Sequence, residues 1–182
     1  MPASTPTRGK RQVNVSPQTL RLYAGLLASP ASDSLEVLGE LAGEYAWLDE
    51  AIAELAQTPL EEWQAEHARL FICGHPKTAC PPFESAFLGG GMFGIACDRL
   101  GDLYRRAGLQ AEDVPPDYLG TQLECAAYLL EQPCDHSNEL LQELWRDHLA
   151  GWAPRFGTAL QGESRLQLYR ELGAQLEELR GE

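Results

Sequence analysis

Two cysteines and a histidine lie close together in the segment from Glu66 to Gly94. Cys73, His75 and Cys80 form the pattern C-x-H-x4-C, and thiolates and imidazoles are ligands that zinc prefers. A structural zinc site usually takes four ligands from two short-spaced pairs, and here the fourth ligand would have to come from a distant part of the chain. We therefore predict no metal site, and keep Cys/His metal binding as an alternative that elemental analysis can decide.

The same segment contains a literal G-x-G-x-x-G, formed by Gly89, Gly91 and Gly94. This fingerprint binds a dinucleotide only where a buried strand leads into it and a helix N-terminus receives the pyrophosphate. The preceding residues, PPFESAFL, do not form such a strand, and no lysine follows as in a phosphate-binding loop. The glycines are predicted to let the chain turn into the next helix, and no nucleotide cofactor is expected.

Acid–base and nucleophilic chemistry have no convincing set of residues. Ser85 directly follows Glu84, and adjacent residues do not form a nucleophile–base pair. The four histidines, at positions 67, 75, 136 and 148, lie in unrelated settings. We predict that the protein is not an enzyme, with no catalytic residue and no cofactor.

Charge and hydropathy exclude further classes of protein. The formal net charge of −13 opposes binding to a nucleic-acid backbone but can attract a basic peptide. No apolar run approaches the roughly 18 to 20 residues that cross a bilayer, and the basic N-terminal residues have no apolar segment behind them, as a secretory signal requires. These features predict a cytoplasmic protein without stable membrane insertion, whose five irregularly spaced cysteines are reduced thiols.

Leucine dominates the 182 residues, with 29 copies against four valines and three isoleucines. Leucine favours helices and β-branched residues favour strands, and apolar residues recur here at spacings of three and four. The sequence therefore predicts an all-α fold in one domain. We expect a flexible N-terminal tail over residues 1–15 and a helical domain over residues 16–182.

Proline, glycine and capping residues predict where the helices begin and end. Ser16 and Pro17 open the first helix and Pro30 ends it, a longer helix follows from Leu35 to Leu55, and Thr58 and Glu61 form a capping box for the next one. A loop then runs from Cys73 to about Gly91, a helix from near Met92 ends at Gly108, and Asp117 caps the following helix. Ser137 or Asn138 opens another helix, Pro154 lies in the first turn of a short segment, and the last helix carries Leu166 to Leu179.

Four motifs in order, EHARLF, PPFESAFL, LYRRAGL and VPPDYLGTQLECAAYLL, resemble the TorD/DmsD/NarJ family of molybdoenzyme maturation chaperones. The resemblance extends over about residues 17 to 180. It implies an all-helical bundle of the TorD-like type with two proline-marked hinge loops and no catalysis. It also implies that the protein binds the catalytic subunit of a molybdoenzyme, often at its twin-arginine signal peptide, until the molybdenum cofactor is inserted.

The motifs carry over a set of client-binding residues, matched one by one. The resemblance implies roles in client and signal-peptide binding for Leu70, Phe71, Pro82, Glu84, Ser85, Asp117, Tyr118, Leu119 and Glu124. Tyr118 stands where the family usually has histidine, so a hydrogen bond from that position to the client would have to come from the tyrosine hydroxyl. The identity of the client oxidoreductase is left open.

The two proline-marked joints, near residues 81–91 and 114–117, are expected to frame a groove between helices. Carboxylates in this groove would bind the arginines of a signal peptide, and apolar side chains would bind its hydrophobic run. Replacing Asp117 or Glu84 by alanine is then expected to weaken client binding more than folding. Two further alternatives remain, a helical adaptor for another kind of partner and a homodimer formed by helix exchange at the long hinges.

Overall fold

The computed structural model describes residues 15–75, 77–88, 94–111, 113–132 and 134–179. Its α-helices are α1 (Pro17–Leu26), α2 (Ser34–Leu41), α3 (Asp49–Leu55), α4 (Leu60–His67), α5 (Glu84–Leu88), α6 (Ile95–Arg106), α7 (Leu119–Glu131), α8 (Asp135–Leu144), α9 (Ala150–Glu163) and α10 (Gln167–Glu177). A 3₁₀ turn covers Ala46–Leu48, and π-helical segments cover Ala68–Ile72 and Trp145–Leu149. The predicted all-α fold is confirmed. Within the described ranges, no helix is long and apolar enough to cross a membrane.

Two predicted helix boundaries have the expected geometry. Ser16 is the N-cap of α1, its hydroxyl accepts a hydrogen bond from the backbone N–H of Thr19 at 3.1 Å, and Pro17 is the first helical residue. Gly108 follows the end of α6 with φ of +74°, a left-handed conformation that favours glycine. The tail predicted over residues 1–15, except for Val15, which packs against the core, lies outside the described residues. So do the turn glycines 89 and 91 and the predicted helix start near Met92, and those expectations remain predictions.

The helix predicted from Leu35 to Leu55 is wrong, because the chain leaves the α conformation after α2 and re-enters it at α3. Gly39 and Gly43 lower helix propensity there, and Tyr45 has φ of −122° and ψ of 79°. The predicted Thr58–Glu61 capping box is also absent. The Thr58 hydroxyl instead donates to the carbonyl of Glu54 at 2.9 Å, and Pro59 precedes α4 without a side-chain cap.

The C-terminal half contains a continuous helical run that the sequence analysis divided. Cys134, not Ser137 or Asn138, is the N-cap of α8, and Pro154 lies inside α9 rather than in the first turn of a short segment. A proline within a helix leaves the carbonyl four residues earlier without its usual partner, and Pro154 follows the π-helical segment Trp145–Leu149 closely. Helical structure thus extends from Asp135 to Glu163.

Helices α9 and α10 cross at two glycines. A Cβ atom on Gly157 would lie 2.4 Å from the carbonyl oxygen of Gly173, and one on Gly173 would lie 2.6 Å from that of Gly157. The backbones can approach this closely only without side chains at the two positions. The crossing holds α10 against a buried aromatic cluster in which Phe71 packs near Phe156 and Tyr169, with ring centroids 6.3 and 5.2 Å apart.

Candidate functional site

The two proline-marked joints are hydrogen-bonded to each other. The backbone N–H of Glu84 donates to the carbonyl of Asp117 at 3.0 Å, and that of Leu119 donates to the carbonyl of Pro82 at 2.9 Å. Phe83 and Tyr118 form an isolated antiparallel bridge between the same segments. Residues 82–84 and 117–119 are therefore held as one unit, so the structure brings together two of the predicted motifs.

Asp117 caps a different helix from the one predicted. Its carboxylate accepts a hydrogen bond from the backbone N–H of Ser85 at 3.0 Å, in the first turn of α5. Tyr118, the N-cap residue of α7, makes no side-chain capping bond. The carboxylate of Asp117 thus connects the second joint to the helix that begins in the first, and both Asp117 and Ser85 are buried.

Glu84 lies at the centre of a buried polar network. Nδ1 of His148 lies 3.0 Å from both carboxylate oxygens of Glu84, and Nε2 of Gln122 donates to Oε2 of Glu84 at 3.1 Å. Because a carboxylate only accepts, Nδ1 of His148 carries the hydrogen. Gln122 also donates to the carbonyl of Asp117 at 3.2 Å. The network therefore joins both loops to α7 and to the π-helical segment that contains His148.

Gln122 and His148 are the partners that the sequence analysis missed. Both are buried, and their distance from Glu84 along the chain, 38 and 64 residues, gives no local signal. Position 122 lies one turn after Tyr118 on α7, which is the only sequence cue toward the joint. In this conformation Glu84, 2% exposed, and Asp117, also 2% exposed, are inaccessible to a client.

Four other predicted site residues are also buried. Leu70 and Phe71 lie in the π-helical segment and pack in the core, and Leu119 is fully buried at the start of α7. Pro82 is buried in the first joint. Their side chains therefore support the region between the joints from inside.

Tyr118 and Glu124 are the predicted site residues nearest to solvent. The hydroxyl of Tyr118 donates to the carbonyl of Leu27, at the end of α1, at 3.3 Å, and its ring covers Gly120, where a Cβ would meet ring atom Cε1 at 2.5 Å. Glu124 is exposed on α7, away from the network, and lies 3.5 Å from the guanidinium of Arg21. The structure therefore does not place Glu124 with the other predicted residues.

The cysteines near the first joint differ in environment. Cys73 is exposed, whereas Cys80 is fully buried and its backbone N–H donates to the carbonyl of Leu70 at 2.8 Å. Burial raises the pKa of the Cys80 thiol to about 11, which disfavours the thiolate that binds metals. Within the residues that the structure describes, no group of three or more His, Cys, Asp or Glu side chains is arranged to hold a metal ion.

A groove open to solvent lies between α1 and α2, and we call it the α1–α2 groove. Its volume is about 500 Å³, within the range of small-molecule and peptide-anchor pockets. Trp63, Leu168 and Tyr169 line it from α4 and α10, and α1 contributes a face that includes Leu22, Gly25 and Leu26. No motif or spacing in the sequence predicted this groove.

Helix α2 leaves much of its apolar surface in the groove. Its sequence, SLEVLGEL, contains four large apolar residues, but only Leu38 is buried and Val37 is 48% exposed. Leu41 lines the groove and is partly exposed.

Carboxylates and an open glycine complete the α1–α2 groove. Asp33 and Glu44, at the two ends of α2, both line it. Gly25 is exposed on the α1 wall, and a Cβ placed there would meet no other atom within 4 Å. The arrangement can bind an apolar segment along its floor while carboxylates at its edge bind cations.

Comparison with known proteins shows which family the sequence belongs to. The family model described as nitrate reductase delta subunit matches residues 36–158. The chain is 25% identical over 125 residues to the chaperone protein YcdY of Escherichia coli (strain K12), an alignment that covers 68% of this chain and 65% of that protein, just under two thirds.

A solved structure has the same fold. The crystal structure of a proposed redox enzyme maturation protein from Archaeoglobus fulgidus matches with a TM-score of 0.65 and 24% identity, covering 94% of this chain and 98% of that one. At this identity the match supports the fold alone. Together with the family model, which spans more than half of the sequence, it confirms the family resemblance, whereas the roles of the predicted site residues stay predictions. The chain belongs to the nitrate reductase delta-subunit family, which is the TorD/DmsD/NarJ group of maturation chaperones and not a family of enzymes.

Proposed function

We propose that the protein is a cytoplasmic chaperone for the catalytic subunit of a molybdenum-cofactor oxidoreductase. It binds the twin-arginine signal peptide of that subunit, with or without its folded core, and assists insertion of the cofactor before export. Family membership supports the general role. The α1–α2 groove is the observation that carries the specific one.

The groove suits the chemistry of a signal peptide, which has a basic start followed by an apolar run. The apolar run would pack against Leu22, Val37, Leu41 and Trp63 as an amphipathic or apolar helix packs in a groove. The arginines would approach carboxylates at the edge, where charge-assisted hydrogen bonds are stronger than neutral ones. Covering the apolar run would also delay its export and prevent its aggregation.

The predicted residues of the two joints are proposed to shape this region rather than to contact the client directly in the conformation described. Tyr118 donates to the last turn of α1, and α1 forms one wall of the groove. The Glu84–Asp117 network fixes the backbone on which Tyr118 lies. Opening of the joints would be needed before either carboxylate reached a client.

Substitution of Gly25 tests the groove. Gly25→Leu places a side chain into the groove where space is open, and replacing a helical glycine by leucine removes a cost of about 1 kcal/mol, so the fold should be retained. We expect Gly25→Leu to weaken binding of a candidate leader peptide at least tenfold in a fluorescence anisotropy titration. Gly39→Leu is the matched control, because Gly39 also has open space but lies outside the groove, and it should bind like wild type.

Co-purification tests the identity of the partner. Tagged wild-type protein should capture candidate molybdoenzyme subunits with their leader peptides more strongly than the same subunits without them. Failure to bind any such subunit or leader would overturn the proposed function. Capture of an identified partner that is not a redox enzyme, lost in Gly25→Leu and kept in Gly39→Leu, would support the helical-adaptor alternative instead.

A further inference from the structure

The buried floor of the α1–α2 groove contains a polar contact among apolar side chains. Trp63 on α4 and Tyr169 on α10 both line the groove, and Nε1 of Trp63 donates a hydrogen bond to the hydroxyl of Tyr169 at 3.0 Å. Leu26, Leu38 and Leu168 are buried residues that line the same groove. The hydroxyl of Tyr169 is therefore a polar group in a mainly apolar floor.

The hydroxyl of Tyr169 lies on the side of its ring that adjoins the groove. The ring itself packs in the core, with its centroid 5.2 Å from that of Phe71 and 6.4 Å from that of His67. The hydroxyl is bonded to Trp63, a residue of the groove wall. Because Tyr169 is only 1% exposed, the hydroxyl lies where the aromatic core meets the groove.

The hydrogen of this hydroxyl has no acceptor in the part of the chain that the structure describes. A tyrosine hydroxyl both accepts and donates, and that of Tyr169 is bonded only to the donor Nε1 of Trp63. The neighbouring ring of His67 does not accept the hydrogen, because its buried Nδ1 has no hydrogen-bond partner. Burial raises the pKa of Tyr169, so the hydroxyl stays protonated. A buried donor without an acceptor costs free energy, and an acceptor that enters the groove would recover it.

The surroundings of the groove limit which acceptor fits. Asp33 and Glu44 line it, so a carboxylate brought to the floor would meet like charges as well as the cost of burial. Lysine and arginine side chains have no acceptor atoms, and the backbone carbonyls of a helical segment are already paired within the helix. The remaining class is a neutral side-chain oxygen, which serine, threonine, asparagine and glutamine carry.

We propose that Tyr169 donates a hydrogen bond to a neutral side-chain oxygen within the apolar run of the client, and that it is a specificity-determining residue of the groove. This role rests on the proposed function, because it requires a leader peptide in the α1–α2 groove. A run that presents only apolar side chains would cover the hydroxyl and leave its hydrogen unpaired. A site that hydrogen-bonds a ligand group discriminates against the analogue that lacks the group. The groove therefore prefers leaders whose apolar run contains one such residue.

A panel of leader peptides tests the preference. A candidate leader is synthesised with valine at successive positions of its apolar run, and each valine is exchanged in turn for threonine, which has nearly the same shape and adds a hydroxyl. Binding to the full-length chain is followed by fluorescence anisotropy. At one position the threonine peptide should bind wild type about fivefold or more tightly than its valine counterpart, because the hydroxyl pairs a buried donor. Elsewhere threonine should bind equally or more weakly.

Tyr169→Phe separates the hydrogen bond from the packing of the ring. The variant keeps the aromatic ring and removes the donor, so the advantage of threonine should fall below about twofold. Trp63 also loses its acceptor, but this loss affects valine and threonine peptides alike and leaves their ratio unchanged. Tyr23→Phe is the matched control, because the hydroxyl of Tyr23 donates to Gln175 at 3.1 Å and Tyr23 does not line the groove. It should keep the advantage.

The outcomes distinguish this role from the proposed function. If wild type binds the panel without preferring threonine at any position, the role of Tyr169 is overturned and the proposed function stands. This comparison needs wild type alone, so it decides the matter even if Tyr169→Phe is too unstable to measure. An advantage of threonine that persists in Tyr169→Phe also overturns the role, because another group then binds the oxygen. If wild type binds no peptide of the panel, the proposed function and the role of Tyr169 both fail.

Discussion

At the scale of single residues, Glu84 is a buried carboxylate at the centre of a polar network. Its carboxylate accepts hydrogen bonds from His148 and Gln122, and the residue is only 2% exposed. A residue with these partners contributes to stability through the groups that it satisfies. This conflicts with the direct client contact that the family motif implied, and the two roles can be separated by measurement.

Glu84→Ala should lower the free energy of unfolding by about 2–4 kcal/mol, because Nδ1–H of His148 and an amide hydrogen of Gln122 lose their buried acceptor. Urea denaturation followed by circular dichroism measures the change. Glu124→Ala, which removes an exposed carboxylate 3.5 Å from Arg21, should cost less than about 1 kcal/mol. If Glu84→Ala keeps its stability but loses leader-peptide affinity, the carboxylate contacts the client as the sequence predicted.

His67 should make stability depend on pH. Burial lowers the pKa of His67 below 6.5, although its bond to the carbonyl of Leu27 partly opposes the shift. Nε2 donates to that carbonyl at 3.0 Å, and buried Nδ1 has no partner. The neutral ring therefore fits the folded state better than the charged ring does.

The sign of the effect follows from proton binding. Below about pH 6.5 the unfolded chain binds a proton at His67 that the folded chain rejects, so folding stability falls as the pH drops toward the lower folded pKa. Wild type should lose stability between pH 7.5 and 5.5 faster than His67→Gln, by up to about 1.4 kcal/mol per pH unit. Urea titrations at several pH values test this, and parallel profiles for the two proteins would contradict it.

At the scale of helices, the α9–α10 crossing depends on Gly157. Gly157→Ala would place a Cβ 2.4 Å from the carbonyl oxygen of Gly173 and 2.7 Å from the backbone nitrogen of Glu177. Backbone must shift to relieve these contacts, and we expect a loss of about 1–3 kcal/mol. Gly162→Ala on the same helix meets nothing within 4 Å and should instead gain about 0.5–1 kcal/mol. Thermal unfolding of the two variants should move in opposite directions.

Local sequence rules predicted the elements whose determinants are local. The Ser16–Pro17 cap, the turn at Gly108 and the spacing of leucines in α7 and α10 depend on neighbours within one or two turns. Two of the wrong predictions arise from features that these rules do not describe. Asp117 caps α5 across the joint, and the π-helical segment at Trp145–Leu149 shifts the apolar period so that α8 and α9 look like separate helices.

The candidate site was predictable only in part for a related reason. The motifs around Pro82 and Asp117 predicted two proline-marked joints that frame a groove, and the structure bonds the two joints directly to each other. Whether their side chains face a client or the core depends on packing from α7 and the segment around His148, which no short motif contains. The α1–α2 groove was missed since exposed apolar residues on α2 have the same periodicity as buried ones.

At the scale of the whole molecule, the net charge of −13 should make client binding depend on salt. The screening length falls from about 10 Å at 0.1 M to about 3 Å at 1 M ionic strength. We expect affinity for a leader peptide with a basic start to fall roughly tenfold over this range, mainly through slower association. The difference between wild type and Gly25→Leu should persist at high salt, because it arises from apolar contact. Affinity that is independent of salt would indicate that the carboxylates take no part.

The homodimer suggested by the long hinges remains a prediction. In the single chain, residues 82–84 and 117–119 are bonded to each other, so exchange of helices between copies would first have to break these bonds. Size-exclusion chromatography across a concentration series would detect the dimer directly.

The burial of Cys80 next to the first joint makes the reactivity of its thiol a measure of how often that joint opens. Its thiol cannot meet an alkylating reagent while the backbone from Leu70 to Cys80 stays closed, whereas Cys73 and Cys134 are open to the reagent at once. Cys97 and Cys125 are buried as well, so peptide mapping must separate Cys80 from them, and the rate at which the Cys80 thiol is modified would then report how often the joint opens. If the joint opens when a client binds, the Cys80 thiol should be alkylated faster in the presence of the client.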